Sequence, residues 1–300
     1  MPRRRGLLPA GVLAVLLALS AACGPTGVPA TEAVPVQVVV ATWNMCGVRQ
    51  WNCEGTGSGA QKARALTELP TDTGARVVML QEVCAGDLAA ARTELGPAWH
   101  SAFKAYRSFD AQGHGTPVPC GAARRGVAGI AILASSALSH VSEPSVRQPA
   151  TGLHRGILCA TAAAAHLRVC NAHLSLPGTD ASRPELEFRD DQLASLVDTA
   201  DGRTVFGGDL NSAPPSPGDA AGWIWPHDAY RRYRECDQRS ASSRAGRPTH
   251  RTGHKVDYLF TALPRAGCSV RDTGRSDHSA LVLRVEAGRG SDVGPGAYET

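Results

Sequence analysis

Six short polar signatures are spread along the chain: Trp43-Asn44, Gln81-Glu82, Asn171-Ala172-His173, Gly207-Gly208-Asp209-Leu210-Asn211, Val256-Asp257-Tyr258 and Ser276-Asp277-His278. Their carboxylate and amide oxygens are hard donors that suit a divalent cation, Mg2+ first, with Mn2+ or Ca2+ as substitutes. Two imidazoles, His173 and His278, titrate near neutrality and are suited to moving protons. A phosphate ester repels a nucleophile with its own charge, so its hydrolysis needs a cation to offset that charge and a base to activate water. The six signatures contain both. Asp257, inside an apolar run, is the most telling single residue, because a buried carboxylate without a cation or histidine beside it is costly.

Each signature borders a short apolar run. Strand-like runs are expected at Val36–Trp43, Arg76–Gln81, Gly126–Ala134, His154–Thr161, His166–Ala172, Thr204–Phe206, Val256–Thr261 and Ala280–Val285. Helical spacing marks Gln61–Leu69, Asp87–Leu95 and Pro184–Val197. Val38-Val39-Val40 and Val77-Val78-Met79-Leu80 are apolar on both faces, which implies strands covered on both sides and helices outside the sheets. Alternation places Asn44 with Val38 and Val40, Glu82 with Val78 and Leu80, and His173 with Leu167 and Val169, so all three are expected to point as the core residues point, from strand ends.

The N-terminus reads as an export signal over residues 1–22: Arg3, Arg4 and Arg5, an apolar stretch from Leu7 to Leu19, then Ser20-Ala21-Ala22 before Cys23. Ser20-Ala21-Ala22-Cys23 is similar to a bacterial lipobox, with Ser where Leu is usual, which makes Cys23 a candidate lipidation site and ordinary cleavage after Ala22 the alternative. Without the three arginines the net charge of +4 falls to about +1, so overall charge says little about partners. Residues 23–35 have the composition of a spacer, residues 36–286 of one folded domain, and 287–300 of a Gly-rich tail. The nine cysteines leave eight once Cys23 is set aside, an even set suited to disulfides in an oxidising compartment. Cys159 and Cys170 flank a hairpin symmetrically, and Cys46 with Cys53 would clip one loop; Cys84–Cys120 and Cys236–Cys268 then remain by elimination among about 105 formal pairings.

Taken singly, each signature has a plainer reading: Asn44 as a turn residue, Glu82 as a solvated strand end, His173 as a core histidine, Asp209 and Asn211 as a bend. Those readings do not explain why all six stand at strand edges. The combination of Gly-Asp-x-Asn at 208–211 with Ser-Asp-His at 276–278 resembles the endonuclease/exonuclease/phosphatase superfamily, over roughly residues 36 to 286. That superfamily includes pancreatic-type deoxyribonucleases, exonuclease III-like repair enzymes, neutral sphingomyelinases and inositol-polyphosphate 5-phosphatases.

The resemblance implies an α/β (α+β) fold, a four-layer αββα sandwich of two packed mixed sheets flanked by helices, with the active site at one end. Chemistry and kinship together make Glu82 the leading metal ligand, with Asn44, Asp277 and Asp209 completing the set. Asp209 and His278 are the candidate bases, and Asp257 orients an imidazole. His173 and Asn211 donate to phosphoryl oxygens or protonate the leaving group. Tyr106 lies where related enzymes keep a phosphate-contacting tyrosine. Which histidine is acid and which is base stays open.

Eight basic residues between Arg231 and Lys255, against Glu235 and Asp237, offer a track for a phosphate backbone or else a solvated loop. Trp223 and Trp225 offer stacking on bases, contact with lipid, or simple packing. The expectation is an exported, extracellular or lipid-anchored monomer that hydrolyses phosphate esters, first of all a nuclease on DNA or RNA. A phosphoesterase of phospholipid head groups or inositol phosphates is the alternative. A non-catalytic module that binds phosphorylated ligands is a third, and it predicts missing catalytic groups, whereas none of the principal ones is missing.

Overall fold

The computed structural model describes residues 36–287 except 52, 181, 182, 184 and 217–221. The expected signal, Cys23, the spacer and the residues after 287 lie outside the described residues. The first sheet runs in the order β14 (Arg265–Arg271), β15 (Ala280–Ala287), β1 (Val36–Asn44), β2 (Val77–Cys84), β6 (Ala128–Ala134) and β3 (His100–Ala105). The second runs β12 (Arg234–Glu235), β13 (Asp257–Thr261), β11 (Thr204–Asp209), β10 (Leu167–His173), β9 (Gly156–Ala162) and β7 (Leu138–Ser142). A small third sheet joins β5 (Gly115–Pro117), β4 (Arg107–Phe109) and β8 (Gly152–His154).

Both large sheets are mixed, and each has a parallel pair at its centre, β1 with β2 and β10 with β11, flanked by antiparallel neighbours. Val40, Met79, Ile130, Leu158, Val169 and Leu283 fill the space between the sheets. Trp43, Leu66, Leu69, Val78 and Leu88 pack the first sheet against α1 (Gly59–Thr73) and α2 (Ala85–Leu95). Leu193, Leu196, Phe206, Tyr230 and Phe260 pack the second against α3 (Arg189–Asp198) and the short α4 (Ala229–Arg232). The result is the expected αββα sandwich. Among the described residues no helix is long and apolar enough to cross a membrane.

Local chemistry sets the helix limits. Ser58 and Gln61 cap α1 reciprocally, each side chain accepting from the other's backbone N–H, and Gly74 ends it in the left-handed region at φ 73°. The third helix begins only at Arg189, later than its apolar spacing suggests, because the Glu187 carboxylate takes the N–H groups of Phe188 and Arg189. The strands that apolar patterning misses are β3, β4, β5, β7, β8, β12 and β14. All are short or lie on sheet edges, where one side needs no burial.

The disulfides are Cys46–Cys53, Cys84–Cys120, Cys159–Cys170 and Cys236–Cys268, the four pairs that spacing and elimination favour. Cys159 and Cys170 stand directly opposite each other in the β9–β10 ladder, as the hairpin reading requires.

Candidate active site

The carboxyl ends of the two parallel pairs lie at one end of the sandwich, and the site is built there. Asn44 ends β1, His173 ends β10 and Asp209 ends β11, while Asp257 opens β13 and Asp277-His278 immediately precede β15. Gly207 and Gly208 make the close approach possible. A Cβ on Gly208 would stand 2.0 Å from the Ala172 carbonyl, and one on Gly207 1.9 Å from that of Tyr258.

Glu82 arrives by a different route from the expected one. Val78 and Leu80 face the helices, not the sheet interface, so simple alternation would turn Glu82 away from the site. A bulge between Leu80 and Val83 adds one residue to β2, and Glu82 adopts φ 54° within it. Such a backbone costs a non-glycine residue about 1–3 kcal/mol, and it re-aims the carboxylate. The bulged residues themselves stay paired to the chain after β1, with Met45 N donating to Gln81 O and Gly47 N to Glu82 O, both at 2.9 Å.

Three side chains and one backbone N–H converge on the Asp209 carboxylate. Asn44 Nδ2 donates to Asp209 Oδ2 at 2.9 Å and to Glu82 Oε1 at 3.1 Å. His173 Nε2 lies 3.4 Å and His278 Nε2 3.9 Å from the same Oδ2. The backbone N–H of Asn211 takes Oδ1 at 3.0 Å. Behind them, Asp257 Oδ2 holds His278 Nδ1 at 2.9 Å, the partner that a buried carboxylate at 257 demands.

Burial and charge then separate the titrating groups. Burial pushes the Glu82 carboxyl up to about 7, although its hydrogen bond from Asn44 opposes the rise. Asp209 is pushed upward too, by burial and by the neighbouring Asp257. Burial alone would lower His278, but the carboxylates of Asp257 and Asp209 prevail and carry it up to about 10, so it holds its proton at neutrality. His173 falls well below its ordinary value through burial and the positive charges of Arg155 and His278. Its Nδ1 lies 2.6 Å from the Tyr106 hydroxyl, which itself accepts from Glu82 N at 3.2 Å. That pattern assigns a neutral His173 with its proton on Nε2, facing Asp209. Two imidazoles with opposite protonation are the separation that acid–base chemistry uses.

The donor set fits a divalent cation. Asp209 is buried and Glu82 half-buried, the two carboxylates share one amide, and among the described residues neither meets a lysine or arginine in an ion pair. Negative charge buried in excess, offered through oxygen, matches a hard metal ion. Asp277 Oδ2 lies 3.5 Å from His250 Nε2, and one carboxylate oxygen is within 4.8 Å of ring nitrogens of both His250 and His278. It is outside the Asn44–Glu82–Asp209 hydrogen-bond network.

Two residues expected at the substrate are occupied differently. Tyr106 is inside the core, with its hydroxyl shared between His173 and Glu82. The Asn211 amide donates to the Leu174 carbonyl at 2.9 Å, and Arg189 Nη1 holds the Asn211 carbonyl at 2.7 Å. The arginine-rich segment is also partly spent internally. Lys255 is buried against Glu235 at 3.1 Å and Asp237 at 3.5 Å, Arg247 pairs with Asp237, and Arg231 pairs with Asp228 at 2.6 Å. Trp225 is a packing residue, whereas Trp223 is exposed.

Three residues near the site carry no local motif. Lys62 is buried, and its Nζ donates to Met45 O, Thr56 Oγ1 and Arg275 O, tying the two loops that follow Asn44 and precede Ser276. His250 packs edge-on against His278 with ring centroids 4.7 Å apart. Arg155 is buried, and its charge acts on Glu82, His173 and Tyr106. A lysine in a helix, a histidine in a basic stretch and an arginine before a strand give no periodic signal.

Comparison with known proteins defines the class. The sequence matches the Endonuclease/Exonuclease/phosphatase family over residues 41–278, and the chain belongs to that family. It is accordingly a hydrolase of phosphate esters, of a family that works with divalent metal. No curated protein sequence matches the chain. Among solved structures, an endonuclease/exonuclease/phosphatase from Beutenbergia cavernae is similar with a TM-score of 0.60 at 20% identity, covering 84% of this chain and 72% of that one. The catalytic domain of human Nocturnin, solved with bound sulfate, gives a TM-score of 0.57 at 14% identity, over 84% and 95% of the two chains. An AP endonuclease from Archaeoglobus fulgidus gives 0.54 at 16%, over 82% and 98%. At these identities the likeness is one of fold.

Proposed function

We propose that this protein is an exported, magnesium-dependent phosphodiesterase that hydrolyses DNA or RNA. The observation that carries the reading is the convergence of Asn44, His173 and His278 on one oxygen of Asp209, beside Glu82. In this reading Glu82 is the leading ligand of the cation, Asn44 would join it through its amide oxygen, which here accepts from Cys46 N, and Asp277 and Asp209 complete the set. Bound there, Mg2+ would offset the charge of the phosphate, and Mn2+ or Ca2+ could replace it. Asp209 takes the proton of the attacking water, its basicity raised by burial. His278, kept protonated by Asp257, donates from Nε2 to a phosphoryl oxygen. His173 holds Asp209 through its Nε2 proton, with Tyr106 fixing the ring. Asn211 braces the Asp209 turn and has one amide hydrogen left for the substrate.

Four disulfides support export to an oxidising compartment, with residues 1–22 as the signal, 23–35 as spacer, 36–286 as the catalytic domain and Cys23 as the lipid anchor point. Exposed Trp223 and Leu176 favour a second reading, a phosphoesterase working on lipid head groups at a membrane surface. The test is parallel turnover of plasmid, RNA, sphingomyelin and phosphoinositides with magnesium and then with chelator. Nucleic acid cleaved first supports the proposal. Inertness toward all four with every divalent cation overturns it.

A further inference from the structure

Cations without a carboxylate partner gather beside the candidate active site. A cavity of about 440 Å3 on one face of the small sheet is walled by Lys104, Arg107, Phe109, Glu143, His154 and Arg155. It adjoins the site through the chain: Ala105 in its wall precedes Tyr106, and Arg155 precedes Gly156, which pairs with His173 in the β9–β10 ladder. Arg155 is only 8% exposed. Its Nε is buried without a partner, and its guanidinium forms no ion pair among the described residues. A buried guanidinium with no carboxylate in ion-pair contact is costly, so the cavity is matched to an anion that comes with the ligand.

The rest of the wall agrees. Arg107 donates to the Gly115 carbonyl and meets no carboxylate among the described residues. Lys104 pairs with Glu143 at 3.0 Å, the one acidic group in the wall. Three cations against one carboxylate leave the cavity positive. His154, held below its ordinary value by burial, adds no charge at neutrality, and its ring stacks on Phe109 at 4.0 Å.

We infer that this cavity receives a second phosphate of the substrate, so that the enzyme prefers esters carrying a neighbouring phosphate, as a nucleic-acid strand does, over esters with one phosphate. The inference rests on the phosphodiesterase reading and deepens it. A planar guanidinium and an ammonium around one anion give charge-assisted hydrogen bonds that a single-phosphate substrate cannot use.

The experiment compares the full-length protein with its Arg107→Ala and Lys104→Ala variants on a thymidine dinucleotide with and without a terminal phosphate, tried at either end. Wild type should show a kcat/KM about tenfold higher or more on the phosphorylated dinucleotide. Both variants should lose most of that preference while staying within about twofold of wild type on the unphosphorylated one. Equal kcat/KM on both dinucleotides in wild type, or a preference untouched by both variants, overturns the inference and leaves the phosphodiesterase standing. If no dinucleotide is cleaved, the phosphodiesterase reading is decided by the turnover of plasmid and RNA described above. Binding of inorganic phosphate in chelator then decides the cavity: about tenfold weaker binding in Arg107→Ala supports it, and unchanged binding overturns it.

Discussion

Tyr106→Phe separates a residue that touches substrate from one that holds the site together. The change deletes one oxygen that donates to His173 Nδ1 at 2.6 Å and accepts from Glu82 N at 3.2 Å, in a side chain that is 1% exposed. Phe keeps the ring and leaves a buried acceptor and a buried N–H unpaired, each at about 1–3 kcal/mol. The Glu82 N–H belongs to a bulge already in the left-handed region, so the loss falls where the backbone is least favourable. A sum of about 2–6 kcal/mol corresponds to a melting-point fall of roughly 4–24 °C for a domain of this size. With Nδ1 released, His173 is free to change tautomer, and its Nε2 proton no longer holds Asp209. The effect should therefore appear in kcat, by about 10–100-fold, with KM little changed. Differential scanning calorimetry and steady-state kinetics read both quantities. An unchanged melting point together with a raised KM and intact kcat would show that the hydroxyl meets the phosphate directly, and would refute the positioning argument.

Chelation should abolish turnover and added magnesium restore it, while Glu82→Gln, which keeps the size and the Asn44 contact, should need at least about 100-fold more magnesium for half-maximal rate. Gly208→Ala should fail to give folded protein, because its Cβ would meet the Ala172 carbonyl at 2.0 Å; soluble, active protein would contradict the strand spacing. Loss of Cys84–Cys120, which closes a separation of 36 residues, should cost about 4 kcal/mol, against about 2.5 for Cys46–Cys53 at a separation of 7, measured by denaturation of the paired alanine variants. Burial alone would raise Glu187, but hydrogen bonds and charge from Arg189 hold it below the ordinary carboxylate range. Its stabilisation is then present at and above the ordinary glutamate pKa and lost as pH falls through the lower folded value. Glu187→Gln should flatten that acid limb in pH-dependent unfolding.

What could be read from the chain and what could not divides along physical lines. Apolar runs announce strands buried on both faces, so β1, β2, β10 and β11 were legible, and with them the ends that carry Asn44, His173 and Asp209. Alternation also assigned Asn44 and His173 to the face between the sheets, because Val40 and Val169 do lie there. For Glu82 the same rule selected the helix-facing residues Val78 and Leu80, and only an inserted residue with φ 54° brings the carboxylate back. A bulge leaves no mark in hydrophobic periodicity, since it changes backbone geometry without changing residue type. Charge misled for a related reason. The stretch from Arg231 to Lys255 is rich in cations, but Lys255 is buried against Glu235 and Asp237, and Arg247 is paired with Asp237 at the surface. Arg155 stands alone in sequence, and it is left without an ion-pair partner beside the candidate active site. Density of charge along a chain measures neither burial nor pairing, and what draws an anion is the cation left without a partner once the chain has folded.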